Sequence, residues 1–315
     1  MWKDAVLSAA GLALLECLYI LLAKKLHIGT ARPEKRFVPV GGGIIIVLAS
    51  LLALFFDFVQ VLYPLIFTGV ALGIVSFIDD LRGLSPLLRL CLQLLASGFV
   101  LSPLLADGHY DIYFIALLGC TGYINSSNFM DGINGMLTSY SLVTLGTLYA
   151  IVRYRLLGVP GDYVEFTEAF EGLWVFLIAA LLVFSFFNFR TKALVYAGDT
   201  GSITTGYFAA LSICFVGMAY STPSVVVITG VFLTDTFCTF LYRLFNGEAV
   251  MQPHKKHLYQ QLVSRGASPL AVSAAYAGIQ AAINAGWLCT PATFRNIYAI
   301  VVAIALVTSY RILHR

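Results

Sequence analysis

Eleven apolar runs of roughly 17 to 22 residues, each closed by charged or turn-forming residues, set the rhythm of the chain. They fall at 4–23, 41–58, 61–78, 86–105, 112–127, 136–152, 172–189, 202–220, 224–242, 268–288 and 294–312. Runs of this length match the ~20 residues an α-helix needs to cross a bilayer. The longest polar connections, 24–40, 153–171 and 243–267, are too short for an extramembrane domain. The pattern predicts an all-α, polytopic integral membrane protein of about eleven transmembrane helices, a single domain over 1–315 embedded in the lipid bilayer.

Composition agrees: 59% of the 315 residues are hydrophobic and 11% charged, against about 25% charged in soluble domains. The net charge of +3 is too small to suggest a nucleic-acid partner. Its distribution carries more. With eleven spans, 15 of the 19 Lys and Arg residues fall on one side of the membrane and 4 (Lys3, Arg153, Arg155, Arg295) on the other. The positive-inside rule makes the first side cytoplasmic, with the N-terminus outside and the C-terminus inside. Asp4 and Glu16 interrupt the first run, which reads as no cleavable signal. The six cysteines sit in or beside apolar runs without CxxC spacing and read as small buried apolar residues, not disulfides or metal ligands.

Every cluster with chemical character falls on the 15-cation side. In NSSNFMDGINGM (Asn125 to Met136), helical spacing puts Asn125, Asn128 and Asp131 on one face, a polar lining for something charged at the membrane surface. FIDDLRGLSP places Asp79 and Asp80 at the end of the third run, where adjacent acids can bind Mg²⁺ or position a proton. Gly83 at its last position rules out the DDxxD of prenyl synthases. YAGDTGSITTG sets Asp199 between two glycines, without the lysine of a P-loop. A lone acid there suits a hard cation that takes its other ligands from phosphate. PHKKHLYQQL offers His254, Lys255, Lys256 and His257 as a cationic clamp for a phosphate-rich substrate, with no third ligand for zinc. Each has a plainer reading: a solvated turn, a helix start, or a basic cytoplasmic loop. Asp235 lies inside the ninth run, eight residues before Arg243.

No single motif is specific; the ordered set is. RPEKRFVPVGGG, FIDDLRGLSP, NSSNFMDGINGM, YAGDTGS, LTDTF with Arg243, and the histidine loop, from about Arg32 to Gln260, resemble the polyprenyl-phosphate N-acetylhexosamine-1-phosphate transferases. These belong to glycosyltransferase family 4, with phospho-N-acetylmuramoyl-pentapeptide transferase among the members, and the PHKKHLYQ form looks most like the O-antigen or N-acetylfucosamine-type branch. Two features depart from the family pattern. Asn134 stands where many members have a second aspartate, and the stretch before Gly41 lacks the Ser-His and Thr-Pro-Arg of longer relatives. Asn134 is therefore assigned no acid role, and the substrate contacts of the stretch before Gly41 stay open.

The resemblance implies transfer of a sugar-1-phosphate from a UDP-N-acetylhexosamine to undecaprenyl phosphate, releasing UMP at the cytoplasmic face of a bacterial inner membrane, as the first membrane step of an O-antigen-like polysaccharide. It implies Mg²⁺ (Mn²⁺ as the alternative ion) on Asn128 and Asp199, with Asp79 or Asp80 orienting or deprotonating the lipid phosphate. Asp131 would hold the nucleotide sugar or the metal shell, and His254 and His257 the diphosphate charge. Asn125, Arg243, Lys255 and Lys256 would bind substrate. Direct transfer and an aspartyl-phosphate route both stay open, as does a homodimer. A transporter built on intramembrane carboxylates is the alternative class; it predicts acids on both sides of the membrane.

Overall fold

The computed structural model describes residues 2–31, 37–158, 164–250, 252 and 254–314. Arg32, Lys35 and Arg36 of the RPEKRFVPVGGG motif, and Asp162, lie outside the described residues. Every apolar run read from the sequence is helical over most of its length. Among the described residues, six helical stretches are long and apolar enough to cross a membrane: Lys3–Lys25, Val59–Arg82, Val164–Asn188, Gly198–Ala219, Pro223–Phe245 and Ala292–Leu313. The chain is an all-α, polytopic membrane protein.

The helices that build the site are α3 (Tyr63–Arg82), α4 (Pro86–Leu101), α6 (Tyr110–Met130), α7 (Met136–Arg153), α8 (Val164–Asn188), α9 (Gly198–Ala219), α10 (Gly230–Phe245), the short α11 (Leu258–Ser264), α12 (Pro269–Cys289) and α13 (Arg295–Leu313). The first helix, α1, is Trp2–Lys25, and a four-residue α5 (Pro103–Ala106) precedes α6. The centre belongs to α8 and α9, buried over most of their length, while α13 meets its surroundings almost all round. An evenly apolar helix has no preferred side; packing alone makes it core or lipid-facing.

Small residues decide how close the helices come. A Cβ on Gly206 would lie 2.8 Å from Ser127 Cβ, and one on Gly43 only 2.1 Å from Gly201 Cα. Such residues let backbones approach where no hydrophobic force separates helix from lipid. The second run differs most from its sequence reading: only Ile44–Ala53 (α2) is α-helical, about 15 Å long and half a bilayer. The reason is the Gly41–Gly43 stretch. Its Gly42 and Gly43 amides donate to the carbonyls of Tyr196 and Ala197, at 2.9 and 3.1 Å, which removes them from a helix and fastens them to the loop before Asp199. A further surprise is a two-stranded hairpin, Gly29–Ala31 (β1) against Phe37–Pro39 (β2), with Thr30 opposite Val38.

The ninth run is broken within its apolar stretch, a 3₁₀ segment Pro223–Thr229 giving way to α10. Freed backbone donors must find partners there. Gln280 Oε1 accepts from Val231 N at 2.9 Å, and Tyr140 OH from Phe232 N at 3.2 Å. The break is therefore fixed, and it aims α10 at the histidine loop.

Candidate active site

The turn after α3 folds back on its own acids. Gly83, at φ +71°, ends the helix, and the Leu84 amide donates to Asp79 Oδ1. Ser85 caps α4 by accepting from Leu88 N at 3.2 Å, which puts Arg89 on the first turn, facing the acids. Arg89 Nη1 lies 3.2 Å from Asp79 Oδ2 and 2.6 Å from Asp199 Oδ2. A single guanidinium thus joins two motifs 120 residues apart in sequence.

Asp80 points the other way. Its carboxylate accepts from Asp199 N (2.8 Å), Thr200 N (3.0 Å) and Thr200 Oγ1 (2.6 Å), so it sits on the N-terminus of α9, where orphan amides and the helix dipole favour an anion. Gly198 makes this approach feasible: φ is +69°, and a Cβ would fall 2.3 Å from Asp80 Oδ2. The two aspartates, equivalent candidates in the sequence, separate here into a helix anchor (Asp80) and a carboxylate paired with Arg89 (Asp79).

A polar cavity of about 220 Å³ opens next to them, lined by Asn128, Asp131, Gly132, Asn188, Asp199 and Ser202 among others. Helix α6 ends on this cavity, with Asp131 as its C-cap. Burial, and then the neighbouring carboxylates of Asp199 and Asp80, push the Asp131 carboxyl well above the usual carboxylate range. The lining offers oxygen donors without thiolate or imidazole. Among the described residues no three His, Cys, Asp or Glu side chains gather as a closed cage. That donor set fits Mg²⁺, which keeps one or two carboxylates and takes phosphate oxygens for the remainder.

Asn125 does not share this face. Its Nδ2 donates to Gln93 Oε1 at 2.6 Å and to the Thr121 carbonyl at 2.9 Å, tying α6 to α4. Asn134 shows why it is not an aspartate here. Its Nδ2 donates to the carbonyls of Arg190 (2.7 Å) and Thr191 (3.4 Å), and a carboxylate has no donor to offer. Asn134→Asp should cost about 1–3 kcal/mol through the unpaired carbonyls, read as a lower melting temperature in detergent; an unchanged midpoint would count against this account.

The histidine loop is anchored by Asp235, buried on α10. Oδ1 accepts from Leu258 N (2.9 Å) and His257 Nδ1 (3.3 Å), and Oδ2 from Tyr276 OH (2.7 Å) and Tyr259 N (3.3 Å). His254 Nδ1 accepts from Lys256 N at 3.3 Å, leaving its Nε2 to carry the proton. Burial, with His257 and Arg243 nearby, pushes its pKa down to about 4, so it is a neutral donor at pH 7 rather than a cation. The loop docks on the Asn125 to Met136 stretch: Tyr259 OH donates to the Phe129 carbonyl at 2.9 Å, and a Cβ on Gly132 would meet that hydroxyl at 2.0 Å.

Two cations expected at the substrate are engaged within the protein. Arg243 is buried, and its guanidinium donates to the carbonyls of Ala249 (2.6 Å), Val250 (3.0 Å) and Gln252 (3.2 Å) and to Glu248 (3.3 Å). It shapes the loop instead of meeting a ligand. Lys256 pairs with Glu248. Lys255 is exposed. Arg89, Asn188 and Ser202 are site residues that the sequence reading passed over. For Arg89 the signal was present, an arginine ten residues past Asp79 and three past Pro86.

Fold and site together define a polytopic helical membrane protein with one oxygen-lined cavity at the meeting point of three motifs. The chain belongs to glycosyl transferase family 4, whose model matches residues 62–218, from the start of α3 through α9. It is 26% identical over 212 residues to a probable undecaprenyl-phosphate N-acetylglucosaminyl 1-phosphate transferase of Bacillus subtilis, covering 62% of this chain and 56% of that protein. It is 31% identical over 207 residues to a phospho-N-acetylmuramoyl-pentapeptide-transferase of Streptococcus pneumoniae, covering 56% and 60%. A Leuconostoc mesenteroides phospho-N-acetylmuramoyl-pentapeptide-transferase is 29% identical over 212 residues, covering 58% and 62%. The matches thus span 56 to 62% of these relatives' own length.

Proposed function

We propose that this protein transfers an N-acetylhexosamine-1-phosphate from a UDP-sugar to a polyprenyl phosphate such as undecaprenyl phosphate, releasing UMP, at the cytoplasmic face of a bacterial membrane. The observation that carries the reading is the convergence of Asp199, Asn128 and Asp131 on one polar cavity, with Asp79 joined to Asp199 through Arg89, in a family 4 chain. The names of its relatives support the lipid and the sugar-phosphate class. The resemblance of the histidine loop to the O-antigen or N-acetylfucosamine-type branch supports a UDP-N-acetylhexosamine donor class and an O-antigen-like pathway, and leaves the particular sugar to the test below.

In this reading a lipid phosphate oxygen attacks the sugar-bearing phosphorus of the UDP-sugar. One P–O bond forms, the bond to the uridine-bearing phosphate breaks, and UMP leaves with the electron pair. A phosphate monoester has its second pKa near 6 and is already a competent nucleophile at neutral pH. Positioning and charge neutralisation then carry the catalysis. Asp79, whose Oδ2 makes no aligned hydrogen bond, orients the lipid phosphate; Asp80 holds α9 in place. Asp199, with Asn128 and Asp131, would hold Mg²⁺, which supplies positive charge to the diphosphate when bound. His254 donates its Nε2–H to a diphosphate oxygen, and His257 is kept in its tautomer by Asp235.

Incubating the purified protein with undecaprenyl phosphate, Mg²⁺ and a panel of UDP-N-acetylhexosamines tests this. Lipid-dependent UMP release from one donor, abolished by EDTA, is expected. Release from no donor, combined with no binding of undecaprenyl phosphate, would overturn the reading.

A further inference from the structure

Arg89 is placed where a merely structural ion pair has little reason to be. Its Nη1 is shared between Asp79 Oδ2 and Asp199 Oδ2, yet one third of its side chain is exposed. Nη2 and Nε have no protein hydrogen-bond acceptor among the described residues, which leaves three N–H groups of the guanidinium uncommitted. Arg243, by contrast, is buried and has committed all three of its nitrogens to the loop. Asp199 is the key partner: it is one of the two acids lining the oxygen-rich cavity, and it is also the closer of the two arginine contacts.

A carboxylate oxygen neutralised by a guanidinium at 2.6 Å is a poor ligand for a dication, because like charges repel across one acceptor. We propose that Arg89 is an internal counter-ion that competes with the divalent cation for Asp199 and, once displaced, turns its free N–H groups to a phosphate oxygen. Metal and phosphate then bind cooperatively through one side chain, and by linkage each raises the affinity of the other. An arginine suits both halves: its planar fork matches carboxylate and phosphate alike, and its charge persists at any working pH. The inference rests on the metal-site reading given under Proposed function. Lipid phosphate and nucleotide phosphate present the same chemistry to Arg89, so the test has one arm for each.

The measurement is Mn²⁺ binding by electron paramagnetic resonance on the whole protein in detergent, with no turnover required. Mn²⁺ is titrated alone, then with UMP, then with farnesyl phosphate as a short lipid phosphate. Arg89→Gln should bind Mn²⁺ alone about tenfold more tightly than wild type, since a positive charge beside the ligand is gone. Arg89→Lys, which keeps the charge, should stay within about twofold of wild type. In wild type at least one phosphate probe should tighten Mn²⁺ binding several-fold, and Arg89→Gln should lose that gain for the same probe, which identifies the phosphate that Arg89 meets. Equal or weaker Mn²⁺ binding by Arg89→Gln would overturn the competition. If neither probe shifts Mn²⁺ affinity in wild type, the handover to phosphate is wrong. Absence of saturable Mn²⁺ binding in every variant would instead bring down the metal-site reading beneath the inference, a different pattern from equal binding. Should Arg89→Gln aggregate, Arg89→Met removes the same charge and keeps the apolar stem.

Discussion

Asp199→Asn should lower UMP release at least about 10³-fold, the scale expected when a preorganised charged group at a phosphoryl-transfer site is lost. The substitution keeps size and shape. The backbone amide of residue 199 still donates to Asp80 Oδ1, so α9 keeps its cap and the melting midpoint should move by no more than a few degrees. Asp80→Asn should show the reverse balance. Its carboxylate receives three donors from the start of α9, and a carboxamide turns an NH₂ toward at least one of them. A clear fall in melting temperature should accompany that loss of activity. Retention of a tenth or more of wild-type turnover by Asp199→Asn would remove it from the centre of the site.

This division of labour among the acids was not legible in the sequence. FIDDLRGLSP shows two adjacent carboxylates, and adjacency alone cannot say which turns to a helix N-terminus and which to an arginine. The helices were legible, because a bilayer demands long apolar runs: the reading of 112–127 became Tyr110–Met130 and that of 202–220 became Gly198–Ala219. Misreadings occurred where tertiary partners override the run. Helix α8 begins at Val164, not 172, since Glu171 is buried in its first turns and lies 3.7 Å from Arg153; its acids looked like a loop. The β1–β2 hairpin is three residues on each side, too short for alternation to register. The break of the ninth run at Gly230 depends on Gln280 and Tyr140, far away in sequence. Asn128 and Asp131 share the cavity, whereas Asn125 turns to Gln93, because helix α4 packs on that side.

Asp235→Asn should reduce turnover about 10²-fold without touching any substrate. The buried carboxylate collects donors from Leu258, Tyr259, Tyr276 and His257, and so fixes both the entry into α11 and the orientation of the histidine that precedes it. An asparagine of the same shape must aim an NH₂ at some of these donors, and it no longer offers His257 Nδ1–H a charge. Breaking a buried, fully paired carboxylate costs about 3–5 kcal/mol, so the melting midpoint should fall along with turnover, unlike that of Asp199→Asn. A stability loss alone would not place Asp235 in the mechanism. The decisive comparison is with His257→Ala. If Asp235 acts by positioning His257, the double variant should lose no more turnover than the worse single one, because residues that work as a unit are not additive. Multiplicative losses would mean that the two contribute separately, and that Asp235 supports the fold of the loop without directing its histidine.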